Sequence, residues 1–262
     1  MRAPILVLAA LACRPALPAS LQAQQAVDHI ALGVAAVQAH DLRTGLAHFE
    51  AALAVDSANY EANWRGAITL LDLGDQIPDS VKSPERDSLY ARAELLAARA
   101  VNADSNAADG HFALALAVGK AALHMGKKER IKRARIIRDE ALRTLAINPR
   151  HDGAYHILGR WNAEIMRLSG FSRFFAKSFL GAGIFKQASW SEAIADMEKA
   201  VELDPGRIYH RLELAEIYVD RKRYADARQQ LKELAALPDR EIMDSVYRRR
   251  AADLATAIRN KK

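Results

Sequence analysis

Along most of this 262-residue chain, apolar side chains recur three and four positions apart. That spacing lines one face of an α-helix. Ile131, Ala134, Ile137, Ala141 and Leu145 form one such stripe, and Ala193, Met197 and Ala200 form another. Four related segments stand between the stripes: Ala54-Val-Asp-Ser-Ala-Asn59, Asn102-Ala-Asp-Ser-Asn-Ala107, Ala146-Ile-Asn-Pro-Arg150 and Glu202-Leu-Asp-Pro-Gly206. Each reads as a helix end followed by a helix start, because Asp and Asn turn and cap well and Pro is tolerated in a first helical turn. The anchors Asp56, Asp104, Asn148 and Asp204 lie 48, 44 and 56 residues apart.

A recurring helix end and start is the signature of a helical repeat array. The tetratricopeptide repeat has a period of about 34 residues, so each spacing here carries an excess. The excesses map to insertions near 75–87, 126–133 and 168–186, read as enlarged loops inside helix pairs. The tetratricopeptide pattern wants a small residue midway along each first helix, where the second helix crosses closely. Gly33, Ala67, Ala115, Gly159 and Ala215 occupy that place. On second helices it wants small or aromatic residues, and Phe49 with Ala52, Ala97 with Ala100, and Ala193 with Met197 and Ala200 comply. The expected fold is all-α: a right-handed superhelical array of irregular tetratricopeptide-like helix pairs. The stretch 239–259 is amphipathic with a polar end and serves as the C-terminal capping helix that solenoid ends require.

One stretch is more specific. His151-Asp-Gly-Ala-Tyr-His-Ile-Leu-Gly-Arg-Trp161 is followed by an insertion, then Ala188-Ser-Trp-Ser-Glu-Ala-Ile194 and Lys199-Ala-Val-Glu-Leu-Asp-Pro205. This resembles the regulator of microtubule dynamics family of tetratricopeptide proteins. The resemblance covers about a third of the chain well and the preceding repeats loosely. It implies an irregular helical repeat fold and a protein-interaction role, without catalysis. The N-terminal leader described next departs from the eukaryotic members, so only the scaffold and the idea of partner binding transfer.

Composition narrows the classes. Half the residues are hydrophobic but only 6% are aromatic, and about one residue in five is alanine. Such a chain is too apolar for disorder and too poor in aromatic and β-branched residues for a β-sandwich. The single cysteine, Cys13, excludes a disulfide framework, a Cys-ligated zinc site and c-type haem attachment. Arg2 precedes the apolar run Ile5-Leu-Val-Leu-Ala-Ala-Leu-Ala12, which is too short to span a bilayer. This reads as a signal peptide over residues 1–23, cut near Ala23, leaving one repeat domain over 24–262. Export to a bacterial periplasm or envelope follows. Two other readings stay open: a lipoprotein anchored through Cys13, and a retained N-terminus. No transmembrane span is expected in the mature chain.

The concave face of such an array comes from first helices. The register places Trp64, Ile68, Phe112, Leu116, His156, Arg160, Tyr209 and Leu212 there, a mainly apolar groove with His156 and Arg160 as its polar contributors. A protein or peptide partner, or a lipid or other apolar ligand, would fit it. The plainer reading makes Trp64, Phe112 and Leu212 inter-repeat core. Phe171, Phe174, Phe175, Phe179 and Phe185 fall within 15 residues of the third insertion. They form either a plug that folds back on the groove or an element that touches a partner or membrane surface. Net charge is +6, and the stretch from Lys127 to Arg150 carries as much by itself. A solvated helix face explains it, and export argues against a nucleic-acid partner. His151 and His156 are five apart and splay on a helix. There is no phosphate loop or Gly-x-Ser-x-Gly elbow. The sequence therefore predicts a non-catalytic scaffold without cofactor or metal.

Overall fold

The computed structural model describes residues 19–78, 80–123, 125–168 and 187–262. The apolar leader with Cys13 lies outside these residues. So does the insertion that holds Phe171, Phe174, Phe175, Phe179 and Phe185. The described residues form eleven helices and no strand. Ten of them pair in sequence: α1 (Ala19–Gln38) with α2 (Leu42–Val55), α3 (Tyr60–Asp75) with α4 (Pro84–Ala103), α5 (Ala108–Leu123) with α6 (Lys127–Ile147), α7 (Asp152–Arg167) with α8 (Trp190–Leu203), and α9 (Ile208–Asp220) with α10 (Tyr224–Ala235). The eleventh, α11 (Asp244–Ile258), packs on α9 and α10 and closes the C-terminal end. None of the described helices is long and apolar enough to cross a membrane.

The four anchors end four second helices in one way. The backbone N–H groups of Asp56, Asp104, Asn148 and Asp204 donate to Ala52, Ala100, Thr144 and Ala200 carbonyls at 2.8–3.0 Å. Their side-chain oxygens accept from the N–H two residues on, at Ala58, Asn106, Arg150 and Gly206. These Asx turns redirect the chain within three residues. Three turns share a further bond across six residues. Asn63, His111 and Arg211 bond back to the carbonyls of Ser57, Ser105 and Pro205 at about 3.0 Å. A polar residue in the next helix thus satisfies a turn carbonyl that the helix cannot.

The core is a ladder of alanines where helices cross. Ala52, Ala67, Ala97, Ala100, Ala115, Ala193, Ala200 and Ala215 are fully buried, with Phe49 and Met197 between them. Gly159 shows why the side chain must be small. A Cβ there would meet the Ala193 carbonyl oxygen and the Met197 nitrogen at 3.1 Å, and backbone cannot yield as a flexible side chain can.

The extra residues in the repeats are housed in two ways. The first insertion falls in the connection between α3 and α4, whose described residues are held by Arg86. That buried guanidinium donates to the carbonyls of Ile77, Pro78 and Val81. The second is helix rather than an enlarged loop: α6 starts at Lys127 and runs for 21 residues. Its polar positions favour helix, and its ends are fixed by Gly126 and the Asn148 turn. By contrast, the turns after α1 and α9 are short, and each holds a non-glycine residue in the left-handed region, His40 and Lys222. His40 also meets the backbone carbonyl of Arg240 across 200 residues, 3.3 Å from Nε2. The array therefore curls until its first turn reaches the loop before its last helix.

Candidate functional site

First helices of successive pairs lie side by side, α1 by α3, α3 by α5, α5 by α7 and α7 by α9. Their shared inner face is far more polar than the sequence register suggests. Near the N-terminal side, Asp75 at the end of α3 accepts from the Tyr90 hydroxyl at 2.7 Å and from Lys120 of α5 at 2.5 Å. Asp72, one turn earlier, has its pKa pushed up to about 7 by burial, with Asp75 and Glu241 adding repulsion. A carboxyl proton held near neutrality follows from removing charge from water beside like charges.

A second cluster ties α7 to α9. Asp152 accepts from His210 Nε2 at 2.9 Å and from Arg207 at 3.1 Å. Arg207 also reaches Glu241 at 2.8 Å. Burial alone would raise the Asp152 pKa, but the bonds and charges of His210 and Arg207 outweigh it and hold the carboxylate well below its usual range. His156 Nδ1 stands 2.9 Å from His210 Nδ1. Burial, then the charges of His210 and Arg160, keeps His156 neutral far below the ordinary histidine range. His210 is also lowered, by burial first, although Asp152 pulls the other way.

The third cluster surrounds Arg160. Its guanidinium bonds the Tyr209 hydroxyl and lies 3.6 Å from the buried carboxylate of Glu213. Glu213 above all keeps it charged. Tyr209 stacks on Tyr247 of α11 with ring centres 4.4 Å apart, and its other neighbour is the His156 ring at 4.6 Å. Arg250 of α11 bridges to Glu216 at 2.8 Å. Beside this cluster, a cavity of about 230 Å³ opens between α5, α6 and α7. Its wall is mostly apolar, with Leu116, Ile137, Ile157, Trp161 and Ile165, while His156, Arg160 and Tyr209 lie on it.

Of the expected groove residues the structure brings together Leu116, His156, Arg160 and Tyr209 at this cavity, and places Trp64, Ile68, Phe112 and Leu212 away from it. Leu212 is fully buried in the C-terminal core. Phe112 packs on the core beneath α7 and rests on the His151 ring at 4.5 Å. Trp64 packs against the core of the second pair, with Arg65 over its ring. Leu212 is large and apolar and buries more surface between helices than in an open groove, whereas Trp64 and Phe112 are half-buried. The expectation of a mainly apolar groove is corrected in the same way: Asp72, Asp75, Lys120, Asp152, Arg207, His210 and Glu213 were not anticipated. The basic helix α6 is partly engaged within the fold. Arg133 pairs with Glu94 and Arg138 with Gln187, at 2.7 and 2.6 Å. Among the described residues, no group of His, Cys, Asp and Glu is arranged to hold a metal ion.

The sequence matches the Regulator of microtubule dynamics protein 1-3 family over residues 33–259. The chain belongs to the regulator of microtubule dynamics family. The matched range includes the segment around His156 and Trp161, which forms part of the cavity wall. Among solved structures, TTC0263, a thermophilic TPR protein of Thermus thermophilus, is similar at a TM-score of 0.60 and 19% identity. The match covers 88% of this chain and 99% of that one, and it shows that this family member shares the tetratricopeptide α-solenoid of helix pairs. Pseudomonas aeruginosa pilF matches at a TM-score of 0.48 and 14% identity, over 91% of this chain and 92% of its own. YrrB, described as a TPR protein with an unusual peptide-binding site, matches at 0.45 and 14%, over 91% and 96%. A comparison with curated proteins returned no match.

Proposed function

We propose that this chain is an exported, non-catalytic binding scaffold that holds a protein or peptide partner on its concave face. The observation that carries this reading is the set of charged groups on successive first helices, Asp75, Lys120, Arg160 and Glu216, fixed by partners on neighbouring helices. Pre-set donors and acceptors on a rigid surface lower the ordering cost of binding a polar chain. The solenoid fold and the family support the scaffold role. Export rests on the leader read from the sequence.

Photo-crosslinking in the native host tests the reading. A benzophenone side chain placed at Arg250, on the inner side beside Glu216, should capture one protein partner. The same group at the exposed Leu142 of α6 should capture none. Capture from Leu142 alone would overturn the concave assignment. Fractionation of the same cells should place the chain, shortened near Ala23, in the envelope; full-length chain in the cytosol would overturn export. A second reading, a lipid or other apolar ligand, is favoured by the apolar cavity beside Trp161. The part expected of the Phe-rich insertion in that reading lies outside the described residues.

A further inference from the structure

Where the two ends of the array approach each other, the inner face holds more negative charge than its own cations balance. Four carboxylates, Asp72, Asp75, Asp152 and Glu241, stand there against two cations, Lys120 and Arg207. Lys120 is committed to Asp75 at 2.5 Å, and Arg207 is shared between Asp152 at 3.1 Å and Glu241 at 2.8 Å. Asp72 is left over. It is half-buried, no described residue hydrogen-bonds its carboxylate, and its oxygens are not sealed from solvent. Asp75 on its own helix, Lys120 of α5, Arg207 before α9 and Glu241 before α11 all act on it. Nearby, Tyr90 of α4 is held by Asp75, and His40 by the Arg240 carbonyl.

Tyr247 of α11 opens onto the same space. Its ring stacks on Tyr209 and the residue is only 8% exposed. Its hydroxyl nevertheless has no hydrogen-bond partner among the described residues, and its oxygen is not sealed from solvent. The charges of Asp75, Glu241 and Asp72 lie close enough to that hydroxyl to raise its pKa, against Arg250 alone on the other side. A buried polar group that bonds none of its neighbours calls for a partner from outside.

We infer that Asp72, Glu241 and Tyr247 form a socket for a primary ammonium group, presented by a lysine side chain of the protein partner. An ammonium has three donors and no acceptor, which matches two carboxylates and one hydroxyl oxygen. The flat fork of an arginine matches a single carboxylate better. A cation placed here also relieves the repulsion that Asp75 and Glu241 exert on Asp72. The chain as a whole carries +6, so the attraction is local to this place. The inference rests on the protein-partner reading and names the chemistry of that partner.

The test is calorimetric titration of the full chain at pH 7 with two blocked pentapeptides, glycine throughout except for a central lysine or norleucine. The lysine peptide should bind about tenfold tighter, the worth of one charge-assisted hydrogen bond. With a pKa of about 7, Asp72 is about half protonated beforehand. Pairing with the ammonium favours its carboxylate, so binding should release about half a proton, read from the heats in two buffers of different ionisation enthalpy. Asp72→Asn should abolish both that release and the preference for lysine. Tyr247→Phe keeps the ring stack and should weaken lysine binding about threefold, the loss of one neutral acceptor. Equal affinities for the two peptides, no binding of the lysine peptide, or undiminished lysine binding in Asp72→Asn would overturn the socket. A lysine preference without proton release would overturn the part given to Asp72. If the lysine peptide fails while crosslinking from Arg250 still captures a protein, the socket falls and the concave reading stands; failure of both takes down the two together.

Discussion

The turns between helix pairs and the concave face use the same residue types, Asp, Asn, His and Arg, over very different distances. In the turns, Asp56, Asp104, Asn148 and Asp204 each bond a backbone N–H two residues away. On the concave face, Asp75 meets Lys120 across 45 residues, and Asp152 meets His210 across 58. A turn bond is set by local geometry and recurs whenever the local sequence does. A concave bond exists only after helices have packed in register. The first kind builds the array, and the second gives each part of the inner face its own chemistry.

Breaking a long-range cluster should cost most. Asp152→Ala removes the acceptor of both His210 and Arg207, and we expect a loss of about 2–3 kcal/mol in urea unfolding, the cost of orphaning buried donors. Asp152→Asn, which keeps one acceptor, should recover part of it. Equal stability of Asp152→Ala and wild type would remove the cluster from the account.

Next in size comes a pH effect of known sign. His156 and His210 both have folded pKa values below the ordinary range, so the unfolded chain binds protons that the folded chain refuses. Stability should fall as pH drops below about 6.5. Lowered Asp152 adds its own loss below about pH 4. His156→Phe should flatten the slope between pH 6.5 and 5; an unchanged slope would mean that His156 is not held neutral.

Asp72 acts in the opposite direction. With its folded pKa raised to about 7, it contributes stability below about pH 4 that is lost as pH rises through 7. Asp72→Asn should therefore melt about 2–4 °C higher than wild type at pH 8, with no gain at pH 4. A lower melting temperature at pH 8 would show that the carboxylate is stabilised where it lies.

A single turn should cost least. Asp104→Ala loses one bond to Asn106, and about 1 kcal/mol or less is expected from thermal unfolding. Asp56→Ala should match it within a few tenths, since both bonds have the same local form. A turn variant as damaging as Asp152→Ala would erase the distinction between the two regions.

The same contrast sets what the sequence could reveal. The anchors, the alanine crossings, Gly159 and the capping helix were legible because each follows from spacing along one or two helices. The extra residues of the third pair were visible as an excess, but their place in α6 rather than in a loop was not. A period counts residues without saying which element holds them. Nor was the hold of Arg86 on the carbonyls of Ile77, Pro78 and Val81 visible, since carbonyls leave no mark in a sequence. First-helix register placed His156, Arg160 and Tyr209 on one face, and the three lie together on the cavity wall. Their partners His210, Glu213 and Tyr247 lie on α9 and α11, and spacing within one helix, such as that of His151 and His156, does not reveal them. The recurrence of Asp or Glu and His or Arg on successive first helices was the available signal. For Trp64, Phe112 and Leu212 the register allowed two readings, groove wall and inter-repeat core, because it fixes a helix face to within a residue and cannot separate a groove wall from the seam beside it.

The central claim is that partners engage the concave face. Once crosslinking has named a partner, hydrogen exchange of the full chain with and without it tests this most directly. Added protection is expected in the exposed and half-buried parts of α3, α5, α7 and α9, with α4, α6, α8 and α10 unchanged. Protection confined to α4, α6, α8 and α10 would contradict the claim.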